Sequence, residues 1–253
     1  MFAKRKWNCM KIVDAVWEER NMGISSTEVI LESGDTVADL KQLNKISSNY
    51  QVVRCPITKT DLMFGLEKHE FKFIEAMIYL HYDLRNPIIE LKGPAQRIVE
   101  STSCSLMDET DIEELFSQIR AGIFKNDRVS LDLEFTNEQA TNRYIGWIKD
   151  EITRGAFVYK CFISNENYGF FTLFRDDDNF VHFALNGVYK EYENSGIGLS
   201  LFFHMINEAK KIGCKALKGN GIAISTNNIN SLKICISMGF CIKNIMYIYI
   251  KHS

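Results

Sequence analysis

Stretches with an apolar period of two alternate along the chain with stretches of helical period. Thr27 to Leu31 is strand-like, and Asp35 to Ile46 carries Val37, Leu40 and Leu43 on one face, as a helix would. Tyr50 to Arg54, rich in β-branched residues and stopped by Pro56, reads as the next strand. Asp61 opens a helix with Leu62 and Leu66 on its apolar side, and Phe71 to Asp83 alternates loosely, as an edge or half-buried strand does. The order βαβαβ predicts a sheet with helices packed on it. A break follows at Asn86-Pro87 and Gly93-Pro94, which predicts two domains, residues 1–90 and 91–253.

In the second part, Arg97 to Glu100 reads as a strand. Asp108 starts a helix with an acidic first turn, which runs to about Arg120 and has Gly122 to cap it. The segment 124–135 has no clean period and reads as loop. Thr136 or Asn137 caps a helix with Tyr144, Ile145, Ile148 and Ile152 on one side, ended by Gly155, and Phe157 to Ile163 returns as a strand. Tyr168 to Phe174, a turn over 175–179, and Phe180 to Val188 predict an antiparallel hairpin.

After Val188 comes Glu193-Asn194-Ser195-Gly196-Ile197-Gly198, and then a helical stripe through Leu199, Phe202, Phe203, Ile206 and Ala209. A glycine-containing loop that opens a helix directly after a strand lets the backbone approach a ligand closely. The unpaired amides of the first turn then favour an anion such as phosphate. The alternative is a turn that needs glycine only for its geometry. The sequence has no GxxxxGK[ST], and Leu201 stands where a third glycine of GxGxxG would be, so the P-loop and dinucleotide fingerprints are excluded. Lys215 to Ala223 reads as a further strand, followed by a helix with an apolar face at Leu232, Cys235 and Ile236. Asn228, Ser231 and Cys235, spaced three and four, share a face of it.

Composition narrows the classes. The 253 residues are 46% hydrophobic and 25% charged, with Lys+Arg 30 against Asp+Glu 32, so the basic excess of a nucleic-acid binder is missing. There is no apolar run long enough for a membrane span, and Met1 to Lys6 lacks the pattern of a secretory signal. The 7 cysteines are scattered without a CxxC pair, which predicts reduced thiols, no metal site and a cytoplasmic location.

The hairpin, the loop E-N-S-G-I-G, a helix, a strand and then N-x-x-S-x-x-x-C-x-x-x-G-F (from Asn228 to Phe240) together resemble the GNAT superfamily of acyl-CoA N-acyltransferases. The resemblance covers roughly residues 94 to 253. It implies an α/β chain of GNAT fold, a mixed and mostly antiparallel sheet flanked by helices, preceded by a smaller, partly GNAT-like α/β domain. Two positions depart from the family pattern: Glu193 stands where Arg or Gln is usual, and Cys235 where Tyr is usual. Arg128, Tyr144-x-x-Trp147-Ile148, Arg154-Gly155-x-Phe157, Ser231-Leu232-Lys233 and Tyr247 are similar to the dTDP-fucosamine acetyltransferases, which acylate an amine on a dTDP-linked dideoxy sugar.

The resemblance implies acyl-CoA, acetyl-CoA or 3-hydroxybutyryl-CoA, as co-substrate, a nucleotide sugar as partner, and a possible homodimer. The main chain of Asn186, Gly187 and Val188 would hold the pantetheine arm and thioester, with the N–H near Asn186 as oxyanion donor. The diphosphate would sit on the amides of the loop, Glu193 and Asn194 through Ser195, Gly196, Ile197 and Gly198, with Asn228 and Ser231 beside the pantetheine. His182 is a candidate base: imidazole titrates near ~6.5, and in a regular strand His182 would share a face with Ala184 and Asn186. The alternative is a structural histidine. Cys235 is either a proton donor to the departing thiolate or a small packing residue. Arg128, Asp132, Arg143 and Trp147 are candidate acceptor contacts, by guanidinium pairing and aromatic stacking, or else parts of the surface or core. The rival readings are an N-acyltransferase for peptide, protein or polyamine amines, and a non-catalytic acyl-CoA-binding module.

Overall fold

The computed structural model describes residues 10–219 and 221–253; Met1 to Cys9, including the Met1–Lys6 start, and Asn220 lie outside the described residues. In chain order the first elements are β1 (Lys11–Asp14), α1 (Val16–Met22), β2 (Ser26–Ile30), β3 (Tyr50–Pro56), α2 (Thr60–Lys68) and β4 (Lys72–His81). Then follow α3 (Pro94–Glu100), β5 (Thr102–Leu106), α4 (Glu109–Arg120), α5 (Arg128–Leu131), α6 (Asn137–Thr153), β6 (Phe157–Ile163) and β7 (Glu166–Arg175). The remainder is β8 (Phe180–His182), β9 (Asn186–Val188), α7 (Gly198–Lys211), β10 (Ala216–Leu217), β11 (Ile222–Ser225), α8 (Ile229–Ser237) and β12 (Cys241–His252).

The chain forms two compact units, Met1–Met77 with Asn244–Ser253, and Ile78–Lys243. In the first, β1 pairs antiparallel with β2, β2 parallel with β3, and β3 antiparallel with β12, which neighbours β4. One face of this sheet packs Val29, Val53, Cys55 and Tyr249 against Leu40 and Leu43 and against Leu62 and Leu66 of α2. Here the helix expected over 35–46 is a shorter 3-10 helix, Asp39–Lys45, because the Asp35 and Asp39 carboxylates accept from Glu32 and Thr36 and turn the chain first. The strand β1 and helix α1 were not foreseen.

The second unit carries the order β10-β8-β7-β6-β5, with β9 also on β7. All its neighbours are antiparallel except β10 on β8. Past Met77, β4 continues in this unit with β11 beside it. The helices α4 and α6 lay Leu115, Phe116, Ile119, Tyr144, Ile145 and Ile148 on Val158 and Phe170. Both helices start in capping boxes, at Asp108 and Thr136.

Several expectations are corrected here. Residues 97–100 are helical: Pro94, its φ preset, occupies the first turn after Gly93, and no residue of α3 is buried, so the β-branched Ile98 and Val99 gain nothing from a sheet. The 124–135 segment holds the short helix α5, whose Asp127 cap accepts from the Ser130 amide. Ile152 and Ile236 are exposed rather than on the apolar faces of α6 and α8. The stretch expected as one strand over 215–223 is two, β10 and β11, with Asn220 outside the described residues. The second hairpin strand is also two pieces, and that break shapes the site. Among the described residues, no helix is long and apolar enough to cross a membrane, and no group of three His, Cys, Asp or Glu residues is placed to hold a metal ion.

Candidate active site

Phe174 faces His182, but Phe171 faces Asn186, so the chain between β8 and β9 holds one residue more than β7 opposite it. Thr172 accommodates the slip: its amide donates to the Leu185 carbonyl at 2.8 Å, and its Oγ1 accepts from the Leu185 amide at 3.0 Å. Because Phe174 and Phe171 lie on opposite faces of β7, so do the side chains of His182 and Asn186. The shared face expected for them is therefore corrected by the bulge.

The hydrogen-bond phase of β9 follows from its ends. The Leu185 carbonyl accepts from Thr172 and the Tyr189 amide donates to the Tyr168 carbonyl at 2.8 Å, so positions 185, 187 and 189 bond toward β7. The amides and carbonyls of Asn186 and Val188 therefore point out of the sheet. Gly187 does not: its main chain is committed to Phe170, which corrects its expected role as a main-chain ligand. Its contribution is the missing side chain, since a Cβ there would meet Phe170 Cε1 at 3.2 Å and Ile123 and Phe124 at 3.6 Å. Among the described residues β9 pairs only with β7, and β11, the next long strand, only with β4; β9 and β11 do not bond each other.

The glycine loop lies at the end of β9. Asn194 and Gly196 both have positive φ, 63° and 84°, and the Ser195 amide between them donates to the Tyr192 carbonyl at 3.3 Å, which removes that amide from the expected diphosphate contacts. Ser195 Oγ donates to the Tyr192 carbonyl at 2.7 Å and accepts from the Ile197 amide at 3.3 Å, so the Ser195 side chain and the Ile197 amide hold the turn together. Ile197 precedes α7 without a side-chain cap, and its carbonyl accepts from the Ser200 hydroxyl at 2.7 Å. Among the described residues, no acceptor meets the amides of Asn194, Gly196 and Gly198. Together with the start of the α7 dipole they form an anion cradle. Glu193 turns its carboxylate to Lys125 at 2.9 Å, so the residue that departs from the family pattern has a cation beside it. Lys125 was not singled out from the sequence; no local spacing links it to Glu193, 68 positions away.

Helix α8 packs against this cradle. A Cβ on Gly198 would lie 3.2 Å from Ile234 Cδ1, and Asn230 Nδ2 donates to Asn194 Oδ1 at 3.3 Å. Asn228 caps α8, its Oδ1 accepting from the Ser231 amide at 3.2 Å, so the Asn228 side chain serves the helix itself, while Ser231 gives only its main-chain amide. Cys235 is fully buried, and burial pushes its thiol up to about 12. It cannot donate a proton readily, and its position is that of a packing residue.

His182 is half-buried against Phe174, ring centroids 6.1 Å apart. Its pKa is lowered, first by burial and then by the Lys218 and Arg154 cations, against the pull of Asp176 and Glu151; the imidazole is neutral at neutral pH. The four residues expected at the acceptor divide. Arg128, Asp132 and Arg143 are only 6%, 8% and 6% exposed. Arg143 pairs with Asp127 at 2.9 Å, and burial, which alone would raise the Asp127 pKa, is outweighed by Arg143, Tyr144 and the Ser130 amide, which hold it low. These three side chains are buried around α5 and α6, and Arg143 with Asp127 forms a buried ion pair. Trp147 is half-buried, with the Arg143 guanidinium 5.4 Å from its ring centre and Tyr144 stacked at 6.5 Å.

No family model and no curated protein matches the chain. Solved structures do. A GCN5-related N-acetyltransferase from Sphaerobacter thermophilus aligns with a TM-score of 0.63 at 10% identity, over 96% of this chain and 76% of that one. A functionally unknown conserved protein from Staphylococcus epidermidis ATCC 12228 aligns at 0.58 and 12% identity, over 90% and 85%. A tandem GNAT protein from the clavulanic acid biosynthesis pathway gives 0.51 and 10%, over 90% and 75%. At these identities the likeness establishes the fold: mixed α/β, mostly antiparallel, flanked by helices, in the GNAT arrangement.

Proposed function

We propose that the protein is an acyl-CoA-dependent N-acyltransferase whose acceptor is the amine of a dTDP-linked amino-dideoxyhexose. The observation that carries the donor half is the juxtaposition of two unsatisfied backbone surfaces: the uncapped amides of Asn194, Gly196 and Gly198, and the outward main chain of Asn186 and Val188. The cradle suits a diphosphate, and the strand edge suits an arm that carries amides of its own and can add to it as a surrogate strand. The Asn186 amide then faces the thioester carbonyl and donates to the oxygen as it gains charge; donors of this kind contribute about 2.7–4 kcal/mol.

The attacking nitrogen must be neutral. His182, itself neutral at pH 7, is the proposed acceptor of its proton, working from the Phe174 face of the bulge. Cys235 has no part in this scheme, because a thiol held at about 12 is a weaker acid than an ordinary thiol near ~8.5. Water protonates the leaving thiolate. The sugar assignment rests on the resemblance at Arg128, Tyr144 to Ile148 and Arg154 to Phe157. With Arg128, Asp132 and Arg143 buried, the remaining acceptor surface of that set is Trp147, a stacking face for a base or sugar ring.

The test is thiol release followed with DTNB, using acetyl-CoA or 3-hydroxybutyryl-CoA and a panel of dTDP-linked 3-amino- and 4-amino-dideoxyhexoses, spermidine and a lysine peptide. Turnover with a dTDP-sugar alone is the expected result, and comparison of the two donors identifies the acyl chain. Release with only spermidine or the peptide overturns the sugar assignment. CoA binding without turnover on any amine favours the non-catalytic module.

A further inference from the structure

Away from the loop, β5 and β6 set two cysteines directly opposite each other, Cys104 facing Cys161. The Met107 amide donates to the Val158 carbonyl at 2.9 Å, and counting back along the register makes Ser105 and Ser103 the hydrogen-bonded positions of β5. Cys104 and Cys161 are thus a non-hydrogen-bonded pair, the kind in which Cα atoms approach to about 4.5 Å and side chains lie closest. A disulfide spans Cα separations of about 4.4–6.8 Å, so the two thiols can close without moving either strand far. Both are free; Cys104 is half-buried and Cys161 fully buried. Cys104 Sγ lies 3.7 Å from Glu208 Oε1 on α7, and Glu208 is paired in turn with Lys211 at 2.6 Å.

We propose that Cys104 and Cys161 form a redox-active dithiol that hydrogen peroxide closes to a cross-strand disulfide, which takes away the S–H that Cys104 donates to Glu208 of α7. The Cys104 thiolate attacks one peroxide oxygen, breaking the O–O bond; the product is a sulfenic acid and a hydroxide, which a proton converts to water. The Cys161 sulfur then displaces water from the Cys104 sulfur. Two thiols are oxidised to one disulfide, and one peroxide is reduced to two waters. Burial and the Glu208 carboxylate push the Cys104 thiol up to about 12, so closure is slow at neutral pH and accelerates as pH rises.

The full chain would be treated with graded peroxide, blocked with iodoacetamide, and mapped by non-reducing peptide mass spectrometry. The expected result is a Cys104–Cys161 linked peptide, reversed by dithiothreitol. Cys104→Ser should abolish the linked peptide while melting like the parent, and Glu208→Gln should speed linkage. Oxidation of Cys104 to the sulfinic acid with Cys161 still alkylatable after denaturation overturns the proposal, and so does linkage of Cys104 to a cysteine other than Cys161.

Discussion

Two helix starts in the same unit carry similar sequence signals and are built differently. Helix α8 begins at Asn228, whose side chain caps the Ser231 amide. Helix α7 begins after Ile197 with no side-chain cap, and among the described residues the amides of Asn194, Gly196 and Gly198 meet no acceptor. A capped start has its donors satisfied and is stable in water; an uncapped one leaves donors for a ligand. The difference explains why the side chain of Asn228, which looks like a ligand contact in a motif, is the helix's own fastening. The same contrast leaves open amides in the glycine loop, weak as a sequence signal, where an anion could sit.

The comparison can be broken most sharply at α7. Gly198→Asp places a carboxylate among the open amides and should weaken CoA binding about 100-fold in titration calorimetry, since a like charge in such a cradle costs several kcal/mol. An unchanged affinity would mean that the cradle holds no diphosphate. Asn228→Ala should act on the fold instead. The lost cap is expected to lower stability by about 1 kcal/mol in urea unfolding, with CoA affinity within about twofold of the parent. A large loss of affinity without loss of stability would return Asn228 to the ligand.

Acid should also act on the fold rather than on the cradle. Burial first of all lowers the pKa of both His182 and His204 in the folded state, Lys218 and Arg154 adding to it at His182, and Lys211 at His204 against Glu208. The unfolded chain binds their protons near the ordinary ~6.5. Their contribution is therefore present above about pH 6.5 and is lost as pH falls through the lowered folded values. The urea midpoint should hold steady above that point and fall below it. The smallest effect expected is at Glu193. The pair with Lys125 is partly exposed, so Glu193→Gln should leave stability unchanged and tighten CoA about threefold at low salt by removing one negative charge, an advantage that salt erases.

What the sequence revealed of the fold was local. Asp108 and Thr136 announce helices because a capping side chain acts within three residues of itself, and Phe157 to Ile163 matches its strand end to end. The helix at 94–100 was missed because Ile98 and Val99 favour a strand only where a sheet buries them. The slip at 183–185 depends on the hydroxyl of Thr172, 13 positions from Leu185, and no period within either strand encodes it. Site residues divided in the same way. The loop glycines were legible, whereas the commitment of Gly187 to β7, the pairing of Lys125 with Glu193 and the burial of Arg128 and Arg143 are facts of register and packing.

The free edge of β9 has a further consequence, as a ruler. Its two outward residues are separated by one turned inward, a repeat of about 6.6–6.8 Å. In the proposed reaction a donor lying along it would be gauged at two points on the strand, with the cradle beyond Tyr192 as its third fixed point. Lengthening the donor's arm by a single methylene between its amides would put one of the three out of step. Discrimination of this kind measures the span between groups that take no part in the reaction, and it works without any side chain that names the acyl group.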